Sequence, residues 1–427
     1  MKIEPESIRL MVDKNRSRIL KWTESLIRFP SENRPPDGNE GEAQQFIEEE
    51  CSAIGFEVDS FKPDSVPGIE NHPYWLPGRN YPDDRRNVVA SLKGSGGGRS
   101  ILLSGHIDVA PREPGRWEVT EPFEPLVRNG RLYGRGSADL KGGMAAAYWA
   151  VRILVEMGFK PRGDILFESV VDEEYAGGNG TLASRLRGYN ADLGILTEPT
   201  RMEVCPASLG AFLGNITLRG KAGVPYTGSQ ITNPILGLSR VVQLFSEWEE
   251  KWRRGNSHPL FKGKDKELKI LLWNLSTGSE GEFTQLGAPL TARLSWIVWC
   301  YPGMGEEEFY RKFRKYWDEA GKEEGLKNFK IELVPDYHFV RPWETDPSSE
   351  AVQAVLAAWQ RYMGEQPSVG GASFSCDLAI YGDVGKMPCV IIGPRGDNLH
   401  APDEWVLLED LYSLTGIFAT VISRWCG

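Results

Sequence analysis

Apolar runs that alternate with amphipathic helical segments constrain the fold more than any other feature of this sequence. In the first 205 residues, the strand-like runs "RSILLSGHIDVA", "GDILFESVV" and "ADLGILTE" are interrupted by helical segments such as "GGMAAAYWAVRILVEMG". Nearly continuous apolar strands that alternate with helices are typical of a parallel sheet whose two faces are both covered. We therefore predict an α/β fold with a mostly parallel sheet and helices on both faces.

The pattern changes after about residue 205 and returns at about residue 343. Between these points, strands with polar alternation surround two long amphipathic segments, "NPILGLSRVVQLFSEWEEKWRR" and "GEEEFYRKFRKYWDEAG". A chain of 427 residues also exceeds the size of one comfortable core. We predict one domain formed by 1–205 and 343–427, with an α+β domain at 206–342 inserted into it. The proline-rich stretch 63–86 is predicted to be a surface loop.

Charge and cysteine usage exclude several classes of partner. The formal net charge of −10 argues against nucleic acids and anionic membranes. No apolar run reaches the length of a membrane span, and the first residues lack the apolar segment of a signal peptide. The six cysteines are scattered without a C-x-x-C pair, as expected of small buried side chains in a reducing compartment. We predict a cytoplasmic protein that binds neither nucleic acid nor membranes.

Histidine and acidic residues collect where the predicted strands end. In parallel sheets, ligands bind at the edge that the carboxyl ends of the strands form. Mixed imidazole and carboxylate groups suit zinc, cobalt or manganese. A divalent cation would also offset the repulsion among the adjacent acids Asp172, Glu173 and Glu174. The candidates for this metal site are His106, Asp108, Asp139, Glu173, Glu174, Glu198 and His400.

Five motifs in a fixed order carry a resemblance to a known family. They are "SGHIDVAP", "GRGSADLKGGMAA", "DEEYAGG", "TEP" and "GPRGDNLHAPDEW". The sequence resembles the superfamily of di-zinc hydrolases that contains acetylornithine deacetylase, succinyl-diaminopimelate desuccinylase, aminoacylase and glutamate carboxypeptidase. The resemblance covers almost the whole chain.

The resemblance implies a ligand set for two divalent metal ions, with zinc expected and cobalt or manganese as alternatives. His106 and Glu198 would bind one ion, and Glu174 and His400 would bind the other. Asp139 would bridge the two ions. The family often has a cis peptide bond after this aspartate, so the bond from Asp139 to the next residue is a candidate.

Two further acids receive roles on the same basis. Asp108 lies two residues after His106, on the same face of an extended segment, and would hold the imidazole in its metal-binding tautomer. Glu173 would be the general base, and the alternative is an ordinary surface acid. The implied mechanism is attack of a metal-bridged hydroxide on an amide carbonyl, with Glu173 carrying the proton to the leaving amine.

The resemblance implies that 1–205 and 343–427 form the catalytic, metal-binding domain and that 206–342 forms a lid and dimerisation domain. This lid departs from the family pattern. Relatives carry a histidine that supports the oxyanion, at the position where this chain has Val224. Loss of such a donor costs roughly 3–4 kcal/mol, so a replacement is expected. His258 or His338 could supply it, although we favour ordinary surface roles for both.

Substrate recognition departs from the family pattern as well. Relatives that cleave N-acyl amino acids or peptides often carry arginines where this chain has Trp299 and Ala379. Because arginine is the preferred partner of a carboxylate, the substrate is expected to lack a free α-carboxylate or to be held differently. Arg395 is a candidate for the missing positive charge, and a surface role is equally compatible with its position.

We therefore predict a metal-dependent amidohydrolase that removes an acyl group, such as acetyl, succinyl or formyl, from an amine. The alternative is a dipeptidase or carboxypeptidase with the same metal site, acting on peptide-like substrates. A third hypothesis is an inactive relative that binds a ligand. Relatives form dimers through the lid, so a homodimer is expected, although a monomer is possible without the lid histidine.

Overall fold

A computed structural model describes residues 3–112, 115–175, 178–224, 226, 230–278, 287–334 and 339–427. The chain divides into two compact units. The catalytic unit comprises Met1–Ala207, Glu344–Ala372 and Asp377–Gly427, and the inserted unit comprises Ser208–Trp343 and Ser373–Cys376.

The described residues form the following helices and strands, each numbered in chain order. The helices are α1 (Pro5–Arg28), α2 (Gly41–Ala53), α3 (Gly142–Glu156), α4 (Asn179–Leu186), α5 (Pro234–Gly255), α6 (Glu306–Ala320), α7 (Glu350–Met363) and α8 (Leu408–Trp425). The strands are β1 (Asn33–Arg34), β2 (Asp37–Gly38), β3 (Glu57–Phe61), β4 (Asn87–Leu92), β5 (Ile101–His106), β6 (Leu126–Arg128), β7 (Arg131–Tyr133), β8 (Ile165–Val170), β9 (Gly194–Leu196), β10 (Val204–Arg219), β11 (Ile270–Thr277), β12 (Thr291–Cys300), β13 (Lys330–Val334), β14 (Phe339–Val340), β15 (Trp343–Glu344), β16 (Val369–Ser375), β17 (Cys389–Ile391), β18 (Gly396–Asp397) and β19 (Trp405–Leu407).

The main sheet of the catalytic unit is parallel at its centre. Its strand order is β17-β9-β5-β8-β4-β3. Strands β17, β9, β5 and β8 are parallel to one another, β4 is antiparallel to β8, and β3 is antiparallel to β4. The parallel centre brings the carboxyl ends of β5, β8 and β9 to one edge of the sheet. The fold prediction, an α/β fold with a mostly parallel sheet, is confirmed.

Successive residues of the strands serve opposite faces of this sheet. Leu103 and Phe167 belong to the large apolar core that also contains side chains of α1, α3 and α8. The next residues, Ser104 and Glu168, face the other way, where the Glu168 carboxylate accepts hydrogen bonds from Ser104 at 2.8 Å and from Arg185 of α4 at 2.6 Å. The period of two along each strand thus separates an apolar face from a face with buried ion pairs.

The inserted unit contains an antiparallel sheet and two helices. Strand β12 pairs with β11 on one side and with β10 on the other, and β13 also pairs with β10. Its core is largely aromatic, and it includes Phe212, Phe245, Trp296 and Phe313, all of them buried. These side chains come from β10, β12 and the apolar faces of α5 and α6, which accounts for the helical spacing of aromatic residues in the sequence.

The proline-rich stretch 63–86 was predicted to be a surface loop, and its second half is indeed a mostly solvent-accessible loop, although two arginine side chains in it are buried. The stretch contains two short helical turns, Pro63–Ser65 and Ile69–Asn71. The Arg79 and Arg85 side chains that follow are only 2% and 1% exposed. Two buried arginines require buried partners, and these lie next to the site described below.

None of the helices in the described ranges combines the length and the apolar character that a membrane span needs.

Candidate metal centre

The first group of candidate ligands lies at the carboxyl ends of two neighbouring parallel strands. His106 is the last residue of β5, and Glu198 lies two residues after β9 ends. The imidazole Nε2 of His106 is 3.6 Å from a carboxylate oxygen of Glu198 and 3.3 Å from Oδ1 of Asp139. One ligand atom from each of these three side chains lies within 4.8 Å of the other two. This geometry can hold one metal ion.

The second group shares Asp139 with the first. Nε2 of His400 is 3.3 Å from Oδ2 of Asp139 and 2.8 Å from Oε2 of Glu174. One ligand atom from each of Asp139, Glu174 and His400 again lies within 4.8 Å of the other two. Asp139 therefore directs one oxygen toward each histidine, which is the arrangement expected of a carboxylate that bridges two metal ions.

The charges of the two groups favour a bound cation. Burial raises the pKa of Glu198 well above its ordinary value, as expected of a carboxylate crowded by other acids. Burial lowers the pKa of His106, but Glu198 and Asp139 outweigh it and raise that pKa well above its ordinary value. The charge of Glu174 raises the pKa of His400 to about 12. A set of carboxylates and imidazoles with this demand for positive charge fits divalent metal ions.

The structure also contains the cis peptide bond that was predicted between Asp139 and Leu140. Asp139 lies in the short helical segment Ser137–Lys141 that leads into α3, and neither of its flanking residues belongs to either ligand group.

Asp108 contacts His106 through a different group from the one predicted. Nδ1 of His106 is 2.8 Å from the backbone carbonyl oxygen of Asp108, whereas its distance to the carboxylate is 3.8 Å. The carboxylate Oδ2 instead accepts hydrogen bonds from the backbone amides of Glu173 and Glu174, at 3.0 and 2.9 Å. The backbone of Asp108 therefore orients the imidazole, and its side chain fixes the turn that carries the two glutamates.

Glu173 lies beside the first ligand group but belongs to neither group. Its Oε2 is 3.9 Å from Nε2 of His106, and its side chain is 17% exposed. Burial raises the pKa of Glu173 well above its ordinary value, and Asp377 and Glu198 add to the effect while His106 opposes it. A carboxylate with this high affinity for a proton, next to a metal site, has the properties of a general base.

Asp172 is not part of the metal centre. Its carboxylate accepts hydrogen bonds from Arg85 at 2.9 Å, from the Tyr81 hydroxyl at 2.6 Å and from Arg79 at 2.8 Å. The expectation that a divalent cation offsets its charge is therefore wrong for Asp172. Two buried arginines from the proline-rich stretch supply that positive charge, and only the next two acids of the run face the candidate metal sites.

Glu404 is a functional candidate that the sequence analysis missed. Its buried carboxylate accepts hydrogen bonds from the backbone amides of Gly136, Ala138 and Asp139, at 2.9, 3.0 and 3.1 Å, and from Arg135 at 3.0 Å. These bonds fix the turn that presents Asp139 to both histidines. The signal was available, because Glu404 belongs to the motif "HAPDEW" that contains His400, but no role was assigned to it.

The candidate substrate-binding residues are placed as follows. Arg395 binds Asp410 through Nε and Nη2, at 2.8 and 2.6 Å, so its charge already has a partner and a substrate role is not supported. His258 lies in the inserted unit, where its ring contacts Phe261 and Tyr301. His338 falls outside the described residues.

The chain is similar to several known proteins. The model of a family described as Peptidase family M20/M25/M40 matches residues 102–424. An N-formyl-4-amino-5-aminomethyl-2-methylpyrimidine deformylase from Halalkalibacterium halodurans is 28% identical over 99% of this chain and 97% of its own. A succinyl-diaminopimelate desuccinylase from Methylobacterium radiotolerans is 28% identical over 93% of this chain and 99% of its own. The structure of the dipeptidase Dug1p from Saccharomyces cerevisiae has a TM-score of 0.77 at 15% identity, covering 100% of this chain and 99% of that one.

Proposed function

The chain belongs to peptidase family M20/M25/M40, and from this premise we propose that it is a metal-dependent amidohydrolase that removes the acyl group from a small N-acylated amine. The observation that carries the proposal is the geometry of Asp139, whose two oxygens each lie 3.3 Å from a different histidine, His106 and His400. A glutamate outside both ligand groups lies beside them and is available for proton transfer.

The proposed ligands are divided between two ions. His106 and Glu198 hold one ion, Glu174 and His400 hold the other, and Asp139 is shared. We propose zinc, which is commonly bound by histidine and carboxylate ligands in hydrolytic sites, while cobalt or manganese would also accept this set. When bound, two such ions lower the pKa of a water molecule and polarise the acyl carbonyl.

Glu173 is proposed to move the proton in the reaction. Its carboxylate accepts a proton from the attacking water and later delivers it to the nitrogen of the leaving amine. A high affinity for a proton favours the first transfer, and a location beside the metal centre allows the second. Asp108 holds the backbone amide of Glu173, so that the carboxylate keeps its orientation during both transfers.

The substrate is proposed to be an N-acyl amine without a free α-carboxylate. The deformylase and the desuccinylase both align with nearly the whole chain, and their names describe removal of an acyl group from nitrogen. The likeness to the dipeptidase structure, at 15% identity, concerns the fold alone. Trp299 and Ala379 replace arginines that would bind an α-carboxylate, and Arg395 is bound to Asp410. These features favour a deacylase over a dipeptidase.

Segment 206–342 is proposed to act as a lid and to form a homodimer. Strand β11 pairs only with β12 among the described strands, and its Leu271, Trp273 and Leu275 side chains are about half exposed. An apolar edge strand of this kind is typical of a surface that pairs with a second chain. Light scattering is expected to report a dimer, and a Leu275→Lys variant is expected to shift the mass to that of a monomer.

A cytoplasmic location is proposed from cysteine usage. All six cysteine side chains are buried, as is common for proteins of a reducing compartment.

The test is a hydrolysis assay on a panel of N-formyl, N-acetyl and N-succinyl amines, each with and without an α-carboxylate, and on dipeptides. The enzyme is loaded with zinc, and a matched sample is treated with a chelator. We expect chelator-sensitive release of the amine from substrates that lack the α-carboxylate. Preferred cleavage of dipeptides would favour the peptidase alternative. Binding of two metal equivalents without hydrolysis of any substrate would favour an inactive relative.

A further inference from the structure

Asp172 is a buried carboxylate that no step of the proposed reaction uses. It directly precedes Glu173, and its side chain has no exposed surface. Its backbone φ of 69° lies in the left-handed region, which a residue other than glycine adopts only when its surroundings hold it there. The groups that hold Asp172 therefore also fix the position of the backbone at Glu173.

Arginines from the proline-rich stretch supply most of this support. Arg79 donates to Asp172 through Nε at 2.8 Å and also through Nη2. Arg85 donates a hydrogen bond to Oδ1 of Asp172 at 2.9 Å, and the Tyr81 hydroxyl donates one to Oδ2 at 2.6 Å. Glu40 also pairs with Arg85, so the cluster contains two buried guanidinium groups and two buried carboxyl groups. Removal of one partner would leave an uncompensated buried charge.

Asn33 connects this cluster to the amides of the acidic turn. Its side-chain oxygen accepts a hydrogen bond from Arg79, and its Nδ2 donates to Asp108 at 2.8 Å and to Asp172 at 3.2 Å. The Asp108 carboxylate in turn accepts a hydrogen bond from the backbone amide of Glu173 at 3.0 Å. Arg79 is therefore connected to Glu173 by two routes. One runs through Asp172, and the other runs through Asn33 and Asp108 to the backbone amide of Glu173.

We propose that Arg79 is a positioning residue for the proposed base Glu173. This inference rests on the proposed function, because it assigns Arg79 an effect only through that base. Proton transfer requires the carboxylate within hydrogen-bond reach of the reacting water, and a displacement of about 1 Å can lower a rate about 100-fold. A segment far from the motifs in sequence would thus control the geometry of the catalytic step.

The first experiment compares Arg79→Met with Arg86→Met in the zinc-loaded, full-length enzyme. Arg79→Met removes the charge and the donors but keeps an unbranched side chain. We expect kcat to fall about 10- to 100-fold, as for other residues that orient a catalytic group. KM and the two metal equivalents should be unchanged, because no ligand is lost. Arg86 lies in the same stretch with an exposed side chain, and its variant should retain wild-type kcat.

A mutant cycle separates positioning from a general structural defect. Glu173→Asp shortens the base and already misplaces its carboxylate. If Arg79 acts through Glu173, Arg79→Met will lower kcat less in the Glu173→Asp enzyme than in the wild type. The same fold-loss in both backgrounds would overturn the proposal. Arg79→Lys, which keeps the charge, should recover part of the loss.

Thermal unfolding followed by circular dichroism shows whether Arg79→Met folds. If it does not, Tyr81→Phe decides, because it removes one donor to Asp172 and keeps the ring. A several-fold fall in kcat at constant KM supports the proposal, and an unchanged kcat overturns it. Wild-type turnover by Glu173→Gln would overturn the role of Glu173 and with it this inference, whereas only absence of hydrolysis by the zinc-loaded wild type would overturn the proposed function. An inactive Glu173→Gln beside a fully active Arg79→Met would overturn only this inference.

Discussion

The two candidate ligand groups share Asp139 but differ in how firmly the protein holds them. In the first group, His106 is 2% exposed and Glu198 is 10% exposed, and both follow strands of the parallel sheet. In the second group, Glu174 is only 4% exposed, but His400 is 54% exposed and lies in a loop with a φ of 59°. One group is therefore built on the rigid centre of the sheet, and the other depends on a loop.

Asp139 thus joins a half-site at the ends of sheet strands to a half-site that includes a loop residue. Ligands at strand ends are fixed by backbone pairing and burial, whereas a loop ligand must be ordered when the metal binds. We therefore expect the first group to hold its metal ion more tightly than the second.

The largest effect is expected from Glu173→Gln. Glu173 lies beside the first group without belonging to it, so the variant should keep two metal equivalents. Loss of the proton acceptor should lower kcat by about 10²- to 10⁴-fold. Metal analysis and hydrolysis assays measure the two quantities, with the exposed Glu42→Gln as a control. Loss of a metal ion in Glu173→Gln would show that Glu173 is a ligand and that the groups are wrongly divided.

His106→Ala and His400→Ala separate the two groups. Each variant is expected to keep about one metal equivalent per chain, because each leaves one group complete. After dialysis against a weak chelator, His400→Ala should retain its ion in the first group. His106→Ala should lose the ion of the second group. Equal retention in both variants would contradict the difference in strength, and two equivalents in either would contradict the ligand assignment.

Glu404→Gln should weaken both groups together, because Glu404 orients the residue that they share. An amide cannot accept all four hydrogen bonds that the carboxylate accepts. We expect the affinity for each metal ion to fall about 10- to 100-fold. Competition with a chromogenic chelator measures both affinities. Asp403→Asn is the matched control. The Asp403 carboxylate accepts hydrogen bonds from the backbone amides of Glu118 and Val119 and does not support the turn of Asp139. Weakening of one site alone would argue against a shared bridge.

The smallest effect is expected from Arg395→Ala. Arg395 is half exposed, so solvent screens its side of the pair, and the buried Asp410 carboxylate still accepts a hydrogen bond from the backbone amide of residue 395 after the substitution. The free energy of unfolding should fall by about 0.5 kcal/mol, and kcat/KM should not change. Chemical denaturation and steady-state kinetics measure these quantities. A large rise in KM would restore the substrate role that the pairing with Asp410 argues against.

The ends of apolar strands were the most informative feature of the sequence. His106 follows "ILLSG", and Glu198 follows "GILT", so a parallel sheet brings both to one edge. The cis peptide after Asp139 was predicted from the resemblance and is present. The direction of the Asp108 carboxylate was not predictable, because a two-residue spacing defines a face but not which atom of the residue makes the contact.

The fold class and the candidate ligands were predictable because both depend on local patterns: the period of apolar residues and the residues that end each strand. The folded structure was needed to see that Arg79 and Arg85 pair with Asp172, that Glu404 holds the turn of Asp139, and that Arg395 pairs with Asp410. These contacts join segments far apart in the chain, and no local pattern encodes them. A buried charge needs a partner, and only the folded chain determines which distant side chain provides it.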